Sequence, residues 1–281
     1  MTGFAILLES TSIVLMGSII LVLMGLAAFG ANQLRQYQDR RRSRRDDTPT
    51  GVDGQEGYIT SAVLGLLALL MGFTFALAVD RFEDRRELVI TEANAIGTAY
   101  LRTQLLREPH RTRISGLLKA YTDQRIVFAS LPPVEARKMV ATNDQLLTDL
   151  WTATVAAFPT IKDFDLSSAY LDSINAVIDL DEERKSSRQA KVPAEVFAVL
   201  FIYIIVTAGA LGYTVTGRRG LMAAGVLLSL ILMSLMMIVD IDRPTGGGIV
   251  ESQLPMQRLQ ATIANSLPGT YDRWLEKPET E

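Results

Sequence analysis

The chain has 281 residues, of which 48% are hydrophobic and 21% are charged, and its mean hydropathy is +0.21. Its net charge of -3 offers no basic surface to nucleic acid, and the absence of cysteine excludes disulfides, thiolate catalysis and zinc-thiolate sites. Charged residues are missing from four windows, 10–34, 57–79, 196–217 and 220–239. Each window is long enough for a helix to cross about 30 Å of hydrocarbon. The composition therefore predicts an all-α integral membrane protein with four transmembrane helices, not a soluble enzyme.

Seven segments follow from these windows and from the proline and glycine signals between them. The large water-facing segment divides into helices at Pro109, at Pro132 and Pro133, and at Pro159, and Pro193 marks its end. We expect the second and third transmembrane helices to extend into this segment and to support its helical bundle. In chain order the segments are a first transmembrane helix (1–34), an Arg-rich flexible loop (35–58), a second transmembrane helix (59–80), a water-facing helical domain inserted between the second and third transmembrane helices (81–192), a third transmembrane helix (193–217), a fourth (220–240), and a tail with a short amphipathic helix (241–281).

Arginine content sets the predicted orientation. The 35–58 loop carries six arginines, and the turn between the last two transmembrane helices carries Arg218 and Arg219. The alternation of four spans places both segments on one face, which the positive-inside rule makes cytoplasmic. We therefore expect the 81–192 domain to be extracytoplasmic.

Small residues form a stripe along one face of the second transmembrane helix. Small side chains let neighbouring helices approach closely in a membrane, so helix packing is the favoured interpretation and pore lining in a symmetric oligomer is the alternative. The stripe consists of Ser61, Gly65, Ala68, Gly72 and Ala76, at spacings of three or four residues.

Three aspartates fall at one membrane interface, the interface that also carries the water-facing domain. They are Asp80, Asp240 and Asp242. Repeated around an oligomer axis, they would form an acidic ring that concentrates cations at the mouth of an ion pathway. The alternative is that neighbouring arginines neutralise them as interfacial ion pairs.

A run of residues after the second transmembrane helix carries a family resemblance. Residues 80–102 read DRFEDRRELVITEANAIGTAYLR, and weaker matches follow in chain order. With these residues the chain resembles the bestrophin-like family of bacterial and plastid membrane proteins, which is named for a distant similarity to bestrophins. The weaker matches are Tyr121, Asp123 and Arg125 as YxDxR, then Asn175, Asp179 and Arg184, then DRPTGG at 242–247.

The resemblance implies an architecture and an activity. Bestrophins are oligomeric anion channels with four transmembrane helices and a helical domain between the second and third. The resemblance therefore implies a homo-oligomer, a pentamer by analogy, that passes inorganic ions across a bacterial inner membrane. It also implies a cytosolic helical domain, which is the opposite of the orientation that the arginines predict.

The EANAIGTAYLR stretch is predicted to be a packing helix. A turn of about 100° per residue gathers apolar side chains on one face, and Ile90 and Leu101 widen that face toward one edge. Gly97 leaves room for a neighbouring helix. Glu92 and Asn94, on opposite flanks, are expected to be partly buried and bonded to a partner.

The sequence as a whole favours an oligomeric ion channel or ion-permeation protein with a bias toward cations. The alternative is a non-conducting scaffold or sensor, anchored in the lipid bilayer, whose helical domain binds a partner. No HExxH, GxSxG or Walker pattern occurs, and His110 is the only histidine. We therefore predict no enzymatic activity, no catalytic or metal site and no cofactor.

Overall fold

The computed structural model describes residues 11–43, 52–131, 133–244, 247–266 and 269–272. Within these ranges all regular structure is helical, which confirms the all-α prediction. The helices, numbered here in chain order, are α1 (Ile13–Ser43), α2 (Val52–Thr103), α3 (His110–Ser130), α4 (Pro133–Ala157), α5 (Leu166–Gln189), α6 (Ala194–Thr214), α7 (Gly217–Asp242) and α8 (Leu254–Asn265), with a 3-10 turn at Phe158–Thr160 after α4.

Four long apolar helices, α1, α2, α6 and α7, carry the stretches that could cross a membrane by length and composition. This confirms the set of four that the charge-free windows predicted. The helices α1 and α2 are longer than those windows, because α1 continues to Ser43 and α2 begins at Val52. The segment 35–58, predicted as a flexible loop, is therefore helical at both ends, and its residues 44–51 lie outside the described part of the chain.

The second long helix continues beyond the apolar window, as expected, and runs unbroken through 52 residues to Thr103. The third does not extend in the same way. Helix α5 ends at Gln189, and α6 begins at Ala194 with Pro193 as its N-cap. A proline lacks the N–H that a continuous helix needs, and its ring disfavours a helical residue before it, so the extended third helix predicted from the sequence is wrong.

The chain divides into two compact units. The apolar unit holds the residues up to Arg81, Lys191–Arg243 and Gly247–Ile249, while the helical unit holds Phe82–Ala190 and the segment from Val250 onward, together with residues 244–246. In the apolar unit, α1 packs along α6 and α7. Arg35 donates from Nη1 to the carbonyl oxygens of Tyr213 (2.9 Å) and Thr214 (3.0 Å), which satisfies two acceptors that the end of α6 leaves open.

The helical unit has its own apolar core, built by the second half of α2 with α3, α4, α5 and α8. Helical spacing places an apolar residue on the inner face at every turn, and two of the prolines named in the sequence analysis lie between these helices. Pro109 precedes α3, and Pro159 lies in the turn that follows α4. Fully buried side chains of this core include Ile96, Ile114, Leu118, Tyr121, Tyr170 and Ile174.

Candidate functional site: a buried ion-pair network and the uncovered face of α2

Glu92, the first residue of the EANAIGTAYLR stretch, is completely buried at the centre of a polar network in the helical unit. Tyr121 and Arg125, one turn apart on α3, both face it. Asp181 and Arg184 are contributed by α5 in the same way. Spacings of three or four residues place these pairs on the inner faces of their helices, so the network ties α2, α3 and α5 together.

The Glu92 carboxylate is held on both oxygens. The Tyr121 hydroxyl donates to Oε1 at 2.7 Å, and Arg125 Nε lies 2.9 Å from the same oxygen. Arg184 donates to Oε2 through Nη1. A carboxylate buried in this way is stable only because two guanidinium groups and a hydroxyl replace the water it has lost.

Asp181 is the second carboxylate of the network. Its Oδ1 accepts from Arg125 Nη1 (3.0 Å) and from Asn143 Nδ2 of α4 (3.0 Å), and the Tyr121 hydroxyl oxygen lies 3.1 Å from it. Lys185 Nζ lies 2.7 Å from Oδ2 and bonds Asp144 at the same distance. The network therefore reaches a fourth helix, with its two buried carboxylates fully engaged.

The environment shifts the titration of several members. Burial raises the pKa of the Tyr121 hydroxyl well above its ordinary value; the charge of Arg125 opposes this, and Glu92 and Asp181 reinforce it. Burial disfavours charged Arg125, yet Tyr121 and the two carboxylates leave its pKa raised. Burial likewise opposes charged Lys185, but bonds to Asp144 and Asp181 raise its pKa. At neutral pH the phenol is therefore protonated and the cations are charged.

The sequence analysis identified only part of this network. Glu92, Tyr121, Arg125 and Arg184 were singled out, whereas Asp181 was missed; Asn175 and Asp179, named with the family resemblance, are exposed. The sequence did contain a signal for Asp181, because this residue lies at helical spacing in a stripe of buried residues on α5. That stripe is Tyr170, Ile174, Val177, Asp181 and Arg184.

Asn94 is exposed in the structure, so its expected burial is wrong. Ile96 marks the middle of the buried face of α2, and a turn of about 100° per residue puts Asn94 about 160° away from it. The core uses the edge of the helix that carries Glu92. The opposite edge, with Ile90 and Leu101, is 42% and 52% exposed.

Gly97 lies against another helix, α8. A Cβ atom added at Gly97 would lie 3.3 Å from Leu259 Cδ1. Gly97→Leu is therefore expected to destabilise the protein by about 1–3 kcal/mol through overpacking. Thermal melting of the detergent-solubilised protein measures the effect, with Gly116→Leu as the control because no atom lies within 4 Å of a Cβ there. Equal melting of the two variants would contradict the packing assignment.

The three interface aspartates differ in their surroundings. Asp80 is exposed. The Asp240 carboxylate accepts from the backbone N–H groups of Gly248 (2.8 Å) and Ile249 (3.1 Å), and the buried Asp242 accepts from the N–H of Val192 at 2.9 Å. Two of the three therefore hold loop backbone, a role that neither alternative of the sequence analysis considered.

The contact with Asp240 also explains a glycine of the DRPTGGG segment. A Cβ at Gly247 would lie 2.4 Å from Asp240 Oδ1 and 3.2 Å from the Asp240 carbonyl oxygen. Only glycine lets the backbone come close enough for the neighbouring N–H groups to reach this carboxylate.

The small-residue stripe of α2 is uncovered in the protomer. All five of its members, Ser61, Gly65, Ala68, Gly72 and Ala76, are exposed. No atom lies within 4 Å of a Cβ added at Gly65 or Gly72. The buried residues of the same part of α2, among them Leu67 and Ala78, lie on a different face. Within the described residues, no group of three His, Asp or Glu side chains could hold a metal ion.

Comparison with known proteins gives a family match and fold matches. The model of the Bestrophin-like domain matches residues 19–252. A bacterial bestrophin homologue from Klebsiella pneumoniae, solved in a form with one mutation, is similar with a TM-score of 0.66 and 16% identity, over 94% of this chain and 99% of that chain. Its structure from Zn-SAD phasing gives a TM-score of 0.61 at 16% identity, over 90% and 98%. Among curated proteins, no sequence matches the chain.

Proposed function

The chain belongs to the Bestrophin-like domain family, as its EANAIGTAYLR stretch predicted, and on this premise we propose that it is a homo-oligomeric membrane protein that conducts ions. The neighbours that share its fold are bacterial bestrophin homologues, and its four long apolar helices suit an ion pathway through a bilayer. We propose no enzymatic role. The membrane is the bacterial inner membrane.

The uncovered stripe on α2 is the observation that carries the proposal. A helix that crosses a bilayer normally covers its small residues with a neighbouring helix, because close backbone contact is what they permit. Here the protomer leaves all five uncovered. In a ring of identical chains, such a face can approach a symmetry-related helix or border a narrow axial path whose lining is not blocked by large side chains.

The cation bias of the proposal rests chiefly on Asp80. It follows Ala76 by one helical turn and is exposed, so a ring of copies can present its carboxylate to passing ions. Asp240 and Asp242 contribute less, because their carboxylates accept hydrogen bonds from loop backbone. Asp80→Asn tests the exposed carboxylate. Asp240→Asn, which changes a carboxylate bonded to loop backbone, is the matched control.

Reconstituted protein in planar bilayers tests conduction and bias together. We expect single-channel currents, a lower cation-to-anion permeability ratio in Asp80→Asn, and a smaller change in ratio for Asp240→Asn. Silent bilayers containing correctly assembled protein would refute conduction and favour the scaffold or sensor. Currents whose selectivity is the same with and without Asp80 would refute only the cation ring.

The orientation is proposed from the arginines, with the helical domain outside the cytoplasm. Because the chain has no cysteine, a single cysteine at an exposed site reports its own side of the membrane. In intact spheroplasts, a membrane-impermeant maleimide is expected to label Lys162→Cys and to leave Arg218→Cys unlabelled. The reverse pattern would place the domain in the cytosol, the orientation that the bestrophin resemblance implies.

A further inference from the structure

Arg188 is a half-buried arginine of the helical unit that, within the described residues, has no paired carboxylate, unlike the neighbouring arginines. Its guanidinium carbon lies 5.5 Å from the centroid of the Phe128 ring, and that of Arg125 lies 5.8 Å from the same centroid. Arg184, one turn earlier on α5, pairs with Glu92, as does Arg125. In the part of the chain that the structure describes, no carboxylate oxygen lies within 4 Å of Arg188.

Positive side chains outnumber carboxylates in the ion-pair network of the helical unit when Arg188 and the Arg85–Glu251 pair are counted with it. Buried Arg85 is paired with buried Glu251 at 2.6 Å, so that carboxylate is already engaged. The excess remains even when the exposed Asp144 is counted. The cations are Arg85, Arg125, Arg184, Lys185 and Arg188, and the carboxylates are Glu92, Asp181, Glu251 and Asp144.

The surroundings make the charge of Arg188 costly to maintain. Burial, together with the nearby charges of Arg184 and Arg125, lowers the pKa of Arg188 to about 10, although Glu251 and Glu92 oppose the shift. The guanidinium is still protonated at neutral pH. An uncompensated positive charge that is partly withdrawn from water favours a bound anion.

We propose that Arg188 is the anchor of an oxyanion-binding site that takes a phosphate group. The aromatic ring of Phe128 contacts the guanidinium without using its N–H groups, so the donors remain available to a ligand. A guanidinium binds the paired oxygens of a phosphate bidentately, which a lysine cannot do. Free phosphate and the headgroup of an anionic phospholipid both supply this chemistry.

The test is thermal melting of the purified full-length protein in detergent, titrated with sodium phosphate at constant ionic strength. We expect a saturating rise in the midpoint of the wild type, of about 3–6 °C at ten times the dissociation constant. Arg188→Gln should remove the saturating rise, and Arg188→Lys should weaken it. Arg113→Gln, which alters an exposed arginine of the same unit, should keep it. Adding a phospholipid to the micelles in the absence of phosphate identifies the source. A site for an anionic lipid headgroup responds to phosphatidylglycerol and not to phosphatidylcholine, whereas a site for free phosphate responds to neither lipid.

Melting without phosphate gives a second, independent readout. Arg188→Gln removes an uncompensated charge and is expected to melt at or above the wild-type midpoint, whereas Arg184→Gln breaks an ion pair and is expected to melt lower. The proposal is overturned if neither phosphate nor phosphatidylglycerol gives a saturating shift, or if Arg188→Gln keeps the full shift. These outcomes do not depend on whether the protein conducts ions.

Discussion

Glu92→Gln is expected to lower the free energy of unfolding by about 3–5 kcal/mol, because it removes one partner of a buried ion-pair network. Glutamine keeps the shape of glutamate but not its charge. Arg184 then loses the carboxylate it contacts, and Arg125 keeps only Asp181. The melting midpoint of the detergent-solubilised protein should fall by on the order of 10 °C.

The matched control for Glu92 is Glu83→Gln on the same helix. Glu83 and Arg86 form an exposed pair in which both side chains are 55% accessible, and such pairs contribute on the order of 0–1 kcal/mol. A double-mutant cycle that combines Glu92→Gln with Arg184→Gln should show a coupling energy of the order that contacting residues give. Melting of Glu92→Gln within error of Glu83→Gln would contradict the assigned network.

Gly212→Ala is expected to disrupt the contact between α1 and α6 in the apolar unit. An added Cβ would lie 2.2 Å from the carbonyl oxygen of Ala28 and 2.6 Å from its Cα. These are backbone atoms, which cannot rotate away, so the two helices must separate. The expected loss is about 3 kcal/mol, the upper end of ordinary overpacking, measured by fluorescence-detected size exclusion after heating.

Gly209→Ala, one turn earlier on α6, is the control. Its added Cβ would lie 3.9 Å from the carbonyl oxygen of Ala27, an ordinary van der Waals contact. This variant is expected to melt like the wild type or slightly higher, because alanine favours the helix more than glycine does. If both variants melt together, the close approach of α1 to α6 is absent from the folded protein.

The network also explains why an apolar helix begins its most distinctive stretch with glutamate. A buried carboxylate in EANAIGTAYLR costs desolvation unless other helices compensate it. Here Tyr121 and Arg125 of the YxDxR segment and Arg184 of the downstream helix supply the compensation. Residues from three separate segments that carry the family resemblance thus contact one another. Asp123 of YxDxR instead bonds Lys119 and Gln260, and so joins α3 to the C-terminal helix.

What the sequence by itself determined were the properties that depend on local composition. The four apolar helices could be identified because a bilayer requires about 20 uncharged residues in succession, and the helix boundaries near Pro109 and Pro159 because proline is disfavoured in a helix interior. The stripe of small residues on α2 could be identified from the sequence for the same reason. Spacing along one helix is a local property.

Only the tertiary structure decided which polar residues meet. Glu92 finds Tyr121 29 positions along the chain and Arg184 92 positions along it, and no local pattern specifies contacts at such separations. Helical periodicity placed Glu92 and Asn94 on opposite flanks of one apolar face but could not choose between the flanks. Packing chose the flank of Glu92 because two other helices bring groups there that satisfy a buried charge, and it left Asn94 exposed.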